Sequence, residues 1–279
     1  MYKVKTGLGV MSDLDLSVKE QIALFKKAGF DAFFTGYDAS VSEYKQYADE
    51  IGMIYQSVHA PFGGIDTMWR GNPDKILNTL LDCARACGQS GVPIMIVHTY
   101  IGFEENPGPC ENGIENFRKV VELARECGVK VAFENTEGEE YLAALMEAFK
   151  GYDNVGFCWD TGHELCYNRS KDLTALYGDR LIATHLNDNL GISDYNGKTF
   201  WTDDLHLLPF DGVNDWESVA KRLCKCGFDD ILTFELTRTS KPGRHENDKY
   251  KKLSAEEYVA EVYARACRLA TLKIKYSEK

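Results

Sequence analysis

The chain reads as one α/β domain over residues 1–279, a single (β/α)8 barrel of parallel strands. Short β-rich apolar runs alternate eight times with longer amphipathic ones. Strands separated by helices pair in parallel. The length of 279 residues suits one such barrel, which commonly takes about 250.

The units follow in order. The strand at 6–11 precedes "SVKEQIALFKKAGF", where Ile22, Leu24, Phe25 and Ala28 recur at helical spacing. "DAFFTGY" (31–37) precedes "SVSEYKQYADEIG", whose Gly52 is a left-handed stop signal. "MIYQSVHA" (53–60) leads into "NPDKILNTLLDCARACGQSG", and "VPIMIVHT" (92–99) into "ENGIENFRKVVELARECG". "VKVAFENT" (129–136) precedes "GEEYLAALMEAFKGY", and "NVGFCWDT" (154–161) the shorter "KDLTALYGD". "LIATHLND" (181–188) runs through a long loop to "DWESVAKRLCKCGF", and "DDILTFELT" (229–237) leads to the last helix. "KKAGFDAFF" near the start echoes "CKCGFDDIL" near the end, each a helix stopping at Gly before a strand.

Composition narrows the function classes. Against 32 basic residues stand 43 acidic ones, a formal net charge of −11. That balance suits solubility and argues against nucleic acid as a partner. Nine cysteines without a C-x-x-C pair fit free thiols in a reducing compartment. No segment approaches the ~20 apolar residues of a membrane span, so a soluble cytoplasmic protein is expected. Self-association into a homo-oligomer is compatible with the sequence.

Barrel enzymes carry their sites at the C-terminal ends of the strands, and polar residues gather there. His59, His98 and His185 end strands, His163 follows one, and His206 lies in the loop after strand seven. Glu134, Asp160, Asp204 and Glu235 join them at that level. A charged Glu within a run as apolar as "ILTFEL" costs several kcal/mol unless paired or metal-bound. Imidazole with carboxylate suits Zn, Mn, Co or Fe. Each residue also has a plainer role: His59 in a turn, Asp160 as a helix cap, Glu235 paired with Arg238. Four strands would then need four unrelated explanations, so a metal held by some subset is expected.

In chain order, "SVHAPF", "VAFENT", "CWDTGH", "THLNDN" and "DLHLLPFDGVNDW" resemble the xylose isomerase-like TIM-barrel superfamily. This superfamily includes sugar-phosphate isomerases and epimerases and the endonuclease IV-type AP endonucleases. The resemblance covers nearly the whole chain. In the isomerase branch it implies one divalent metal (Mn, Zn, Co or Mg) on Glu134, Asp160, His185 and Glu235, with His163 contacting a substrate oxygen. In the nuclease branch it implies a second and third metal, with His59, His98, His163, Asp204 and His206 added to the ligands. The isomerase branch implies a carbohydrate substrate and proton transfer by Glu134 and Glu235 through a metal-stabilised enediolate. A multinuclear zinc phosphodiesterase is the alternative.

The loops favour the sugar enzyme. A duplex-binding nuclease should carry basic loops on this rim, but "YIGFEENPGPCENG", "ENTEGEE" and "LNDNLGISDYNGKTFWTDD" are acidic or neutral and aromatic. Only the loop after strand eight is basic, with Arg238, Lys241, Arg244 and Lys249. Arg238 and Arg244 are its anion-binding candidates, against the plainer reading of a solvated loop. Trp69, Trp159 and Trp201 are candidates for stacking on substrate. In relatives a Gly-x-Gly turn often precedes Asp-Trp, and here only Gly212 remains.

Overall fold

A computed structural model describes residues 4–103 and 107–277. Eight parallel strands form the sheet: β1 (Thr6–Gly9), β2 (Ala32–Gly36), β3 (Ile54–His59), β4 (Ile94–His98), β5 (Lys130–Glu134), β6 (Val155–Asp160), β7 (Leu181–His185) and β8 (Leu232–Phe234). Their order is β7-β6-β5-β4-β3-β2-β1-β8, which brings β7 and β8 to the two ends of one nearly closed barrel. The helices are α1 (Val18–Ala28), α2 (Val41–Ile51), α3 (Thr67–Arg70), α4 (Asp74–Ser90), α5 (Glu111–Glu126), α6 (Glu139–Ala148), α7 (Thr161–Cys166), α8 (Thr174–Tyr177), α9 (Trp216–Lys225) and α10 (Ala255–Ser277).

Side chains alternate between two cores, as strand pleating requires. Met95, Val97, Val131, Phe133, Phe157 and Trp159 face the helices and join the large outer core. Ile94, Ile96, Ala132, Cys158 and Ala183 form a small separate cluster inside the barrel. Two residues beyond this inner layer, the same parity reaches His98, Glu134, Asp160 and His185. Register aligns them, with His98 opposite Glu134 and Asp160 opposite His185.

The seam between β7 and β8 is closed largely by threonine. Thr233 donates its backbone N–H to Thr184 Oγ1 at 3.0 Å and its hydroxyl to the Thr184 carbonyl. Leu186 N donates to the Thr233 carbonyl at 2.8 Å, and Leu186 bridges Phe234. His185 lies between the two β7 contacts, and Glu235 follows directly after β8.

The local reading needs three changes. The run at 229–237 shortens to Leu232–Phe234, so Glu235 stands just past its strand. The helix expected at 171–179 is one α-turn, α8, followed by a 3-10 turn at Gly178–Arg180. Thr161-Gly162 begins α7 with no loop, because Asp160 accepts the N–H of His163 at 2.7 Å and caps it.

Thr233→Val should destabilise the protein by about 1–3 kcal/mol by stranding buried polar groups at the seam. An unchanged urea midpoint for that variant would rule out a seam held by these hydroxyls.

Candidate metal centre and substrate mouth

Glu134 lies at the centre of the site and is fully buried. Its Oε1 is 3.0 Å from His185 Nδ1 and 3.5 Å from His163 Nδ1. Its Oε2 is 3.3 Å from both His59 Nε2 and His98 Nε2. Burial opposes its ionisation, but His185 and His98 outweigh it and hold the carboxyl well below the usual range. Glu235 approaches His185 Nδ1 at 3.2 Å from the other side. Its burial is likewise outweighed, chiefly by His185, and its pKa falls to about 2.

Three histidines have one ring nitrogen facing a backbone carbonyl. Nδ1 lies 2.8 Å from the Ala60 carbonyl in His59, 2.9 Å from Asn135 in His163 and 3.2 Å from Glu235 in His206. A neutral imidazole donating there turns its Nε2 lone pair inward, the orientation a metal ligand needs. His59 Nε2 and His98 Nε2 stand 3.1 Å apart. His163 Nε2 and His206 Nε2 face Asp204 at 3.5 and 2.9 Å. His206 has a left-handed backbone, φ 46°, a strained conformation for a non-glycine residue.

These donors fall into adjoining groups whose ligand atoms lie within 4.8 Å of one another: Glu134, Asp160, His185 and Glu235; His59, His98 and Glu134; His163, Asp204 and His206. Glu134 Oε2, His185 Nε2 and Asp204 Oδ1 are buried without a hydrogen-bond partner. Glu134 Oε2 and Asp204 Oδ1 are unpartnered carboxylate oxygens within these donor groups, and such oxygens fit a divalent cation.

Asparagines aim the ligands. Asn135 accepts the Asp160 N–H at 2.8 Å and donates to the Asp160 carbonyl at 2.9 Å. Asn187 donates to Asp160 Oδ2 at 2.9 Å. A Cβ at Gly162 would come within 1.8 Å of Asn187 Oδ1, so this close approach requires glycine. Burial raises Asp160 to about 6. Asp188 accepts from the backbones of Asn189, Phe210 and Asn214 and from Trp216 Nε1 at 2.8–3.0 Å. It thereby ties down the loop around Gly212.

Two cavities open beside this cluster, of about 340 and 190 Å³. Phe62 lines both and stacks on His98 at 4.6 Å between ring centres. The larger reaches Glu235 between Phe34, Tyr37 and Phe62. The smaller runs from His163 and Asp204 past Glu137, Tyr167, Trp201 and Lys241. Of the tryptophan candidates, Trp201 is the one among the residues lining these two cavities. Trp69 is corrected: it is buried on α3 against Phe117 and Tyr141, donating to the Thr99 carbonyl at 2.8 Å. Trp159 is core, with Arg222 over its ring at 4.2 Å. Arg238 contacts Asp15 at 3.4 Å rather than Glu235. Arg244 is committed to Asp203 and Glu246 at 3.3 and 2.9 Å. Neither arginine is among the residues lining these two cavities.

Residues 22–258 match the family described as xylose isomerase-like TIM barrel. The chain belongs to that family. It is 31% identical over 207 residues to the uncharacterised protein y4fM of Sinorhizobium fredii, a match spanning 70% of this chain and 59% of that protein. The chain therefore covers about three fifths of that relative. Among solved structures it resembles D-psicose 3-epimerase with D-tagatose from Clostridium cellulolyticum H10, with TM-score 0.68, 15% identity and coverage of 98% of this chain and 99% of that one. The IOLI protein with a bound zinc atom matches with TM-score 0.70, 18% identity and coverage of 98% and 99%. At these identities the likeness is one of fold. No helix among the described residues is long and apolar enough to cross a membrane.

Sequence reasoning passed over Phe34, Asn135 and Glu137. Phe34 crosses the barrel and stacks on His185 at 4.6 Å. A Cβ at Gly9 would meet its ring at 2.5 Å, so the alternating glycines of "TGLG" were the available signal. Asn135 and Glu137 stood in "FENTE", where Glu134 drew the attention.

Glu137 accepts the Gly102 N–H at 2.8 Å, and burial pushes its pKa from 4.5 up to about 7. The fold favours its protonated form, so this contribution is complete below pH 4.5 and lost as pH rises towards 7. Chelator-treated protein should therefore lose stability relative to Glu137→Gln across that window. The expected difference is on the order of 2 kcal/mol after screening. Parallel denaturation curves at each pH would contradict it.

Proposed function

We propose that this chain is a divalent-metal-dependent isomerase or epimerase of a small sugar, sugar phosphate or polyol. The observation that carries the reading is the pair of glutamates, fully buried Glu134 and part-buried Glu235, approaching His185 Nδ1 at 3.0 and 3.2 Å. Glu134, Asp160, His185 and Glu235 would hold the metal. When bound, it supplies Lewis acidity to a carbonyl and the adjacent hydroxyl, acidifying the C–H between them. Both glutamates are held ionised at neutral pH, so either can accept that proton. Removal by one carboxylate and return by the other on the opposite face inverts a carbon; return to the neighbouring carbon isomerises the sugar. His163, its Nδ1 turned to the Asn135 carbonyl, would present Nε2 to a substrate oxygen. Aromatic walls around the mouth limit water at the reacting carbon. Support also comes from the epimerase described with D-tagatose and the protein described with zinc, which share this fold.

A second reading, a multinuclear phosphodiesterase, is favoured by one observation: His59, His98, Asp204 and His206 complete two further donor groups. The mouth weighs against it. Lys241 is the one lysine or arginine among the described residues lining the two cavities, whereas duplex binding needs several phosphate-neutralising side chains.

Glu134→Gln and Glu235→Gln should each lower turnover by about 10²–10⁴-fold while leaving the circular dichroism spectrum intact. Wild-type turnover in both, on an identified substrate, would eliminate the mechanism. Elemental analysis of the purified protein separates the readings: one metal equivalent per chain with solvent deuterium entering a ketose supports the isomerase. Two or three equivalents with cleavage of an abasic duplex and no exchange supports the phosphodiesterase.

A further inference from the structure

The smaller cavity carries information that the metal ligands do not. At about 190 Å³ it falls below the roughly 300–1,000 Å³ of drug-sized sites, so its ligand is small. Phe62, Ile101, Phe103, Tyr167 and Trp201 supply its apolar wall. Such faces pack against the C–H surfaces of a sugar and leave its hydroxyls to polar groups at the edges. Away from the donor cluster, two charged side chains line the cavity, Glu137 and Lys241. Lys241 is already matched: its Nζ lies 3.7 Å from Asp204 Oδ2 and 5.7 Å from the Trp201 ring centre. Glu137 is buried, and its carboxyl is held by backbone N–H groups, its own and that of Gly102. No Lys or Arg among the described residues forms an ion pair with it.

We propose that Glu137 is a specificity-determining residue that hydrogen-bonds a hydroxyl at the far end of an unphosphorylated ketose or polyol and rejects the corresponding phosphate ester. The substrate class deepens the isomerase reading and rests on it for the reaction, though the binding preference can be measured without turnover. A carboxyl in this position accepts from a hydroxyl when ionised and donates to one when protonated. A phosphate dianion at the same point would lie beside Glu137 and Asp204 with a single lysine already engaged by Asp204. Like-charge juxtaposition in a desolvated cavity is a strong discriminator. Burial pushes the carboxyl up to about 7, which lets it work as donor and acceptor near neutral pH.

The test uses the manganese-loaded full chain and a panel of D-ketopentoses and D-ketohexoses, each with its terminal phosphate ester. Binding is followed by calorimetry and reaction by solvent deuterium entry. The tightest-binding member should be a free ketose, bound at least tenfold more tightly than its phosphate ester. Glu137→Leu should raise KM for that ketose about tenfold or more with kcat within about threefold. Glu137→Gln should restore most of the affinity, which a merely structural role of the charge would not require. Glu137→Lys should shift the preference towards the ester. Equal or tighter binding of the ester by wild type, no binding by any panel member, or wild-type KM in both Glu137→Leu and Glu137→Lys would each overturn the proposal. Selective ketose binding with no deuterium entry would instead sink the isomerase reading and leave this specificity standing.

Discussion

A carboxylate excluded from water is the constraint on which this structure depends. Glu134 is fully buried, and an isolated charge there would cost far more than a fold can spare. Four imidazoles, from His59, His98, His163 and His185, stand within 3.5 Å of its two oxygens. Each comes from a different part of the chain, so the barrel has to close correctly before His185 and His98, which hold the carboxyl ionised, reach it. The same closure assembles the donor groups. Stability and site construction are therefore one problem in this part of the molecule.

Strand parity solves it economically. Inside the barrel a layer of Ile96, Ala132, Cys158 and Ala183 is followed two residues later by His98, Glu134, Asp160 and His185. The pleat turns both sets inward, and the lower layer is the apolar floor of the upper one. Register then matters as much as parity, since a one-residue slip would send every ligand of a strand to the helix side. The Thr184–Thr233 contacts hold that register at the seam, directly beside His185 and two residues before Glu235. Behind the ligands, Asn135 and Asn187 fix Asp160, whose oxygens both cap α7 and face the cluster. The plain reading of Asp160 as a helix cap and its reading as a metal ligand are thus compatible.

The mouth has a different character from the floor. Its aromatic groups, Phe62 above His98 and Trp201 beside Lys241, come from loops, and the loops set what can approach the cluster. The arginines of the basic loop after β8 are spent on carboxylates, Arg238 on Asp15 and Arg244 on Asp203 and Glu246. That loop is tied to the loop after β1 through Asp13, which accepts the backbone N–H groups of Arg238 and Thr239 at 2.8 Å. Its charge serves cohesion in these contacts.

From sequence alone, the eight-fold alternation determined the barrel, because apolar runs of strand length separated by amphipathic helices admit few other arrangements. Sequence also placed the nine donor residues at one rim, since strand ends share a rim whatever their separation along the chain. Tertiary structure decided what spacing cannot encode. It divided the donors into adjoining groups, turned Nδ1 of His59, His163 and His206 towards carbonyls, and buried Trp69 against α5 and α6. It also brought Phe34 onto His185 through the gap left by Gly9. These outcomes depend on contacts between strands and loops distant in sequence, where distance and direction rather than residue type determine the chemistry. "CWDTGHE" shows both sides. Its Asp at a strand end was legible as a ligand candidate. The close approach of Asn187 that requires Gly162, and the turn of His163 towards Asp204, exist only once β6 and β7 lie side by side.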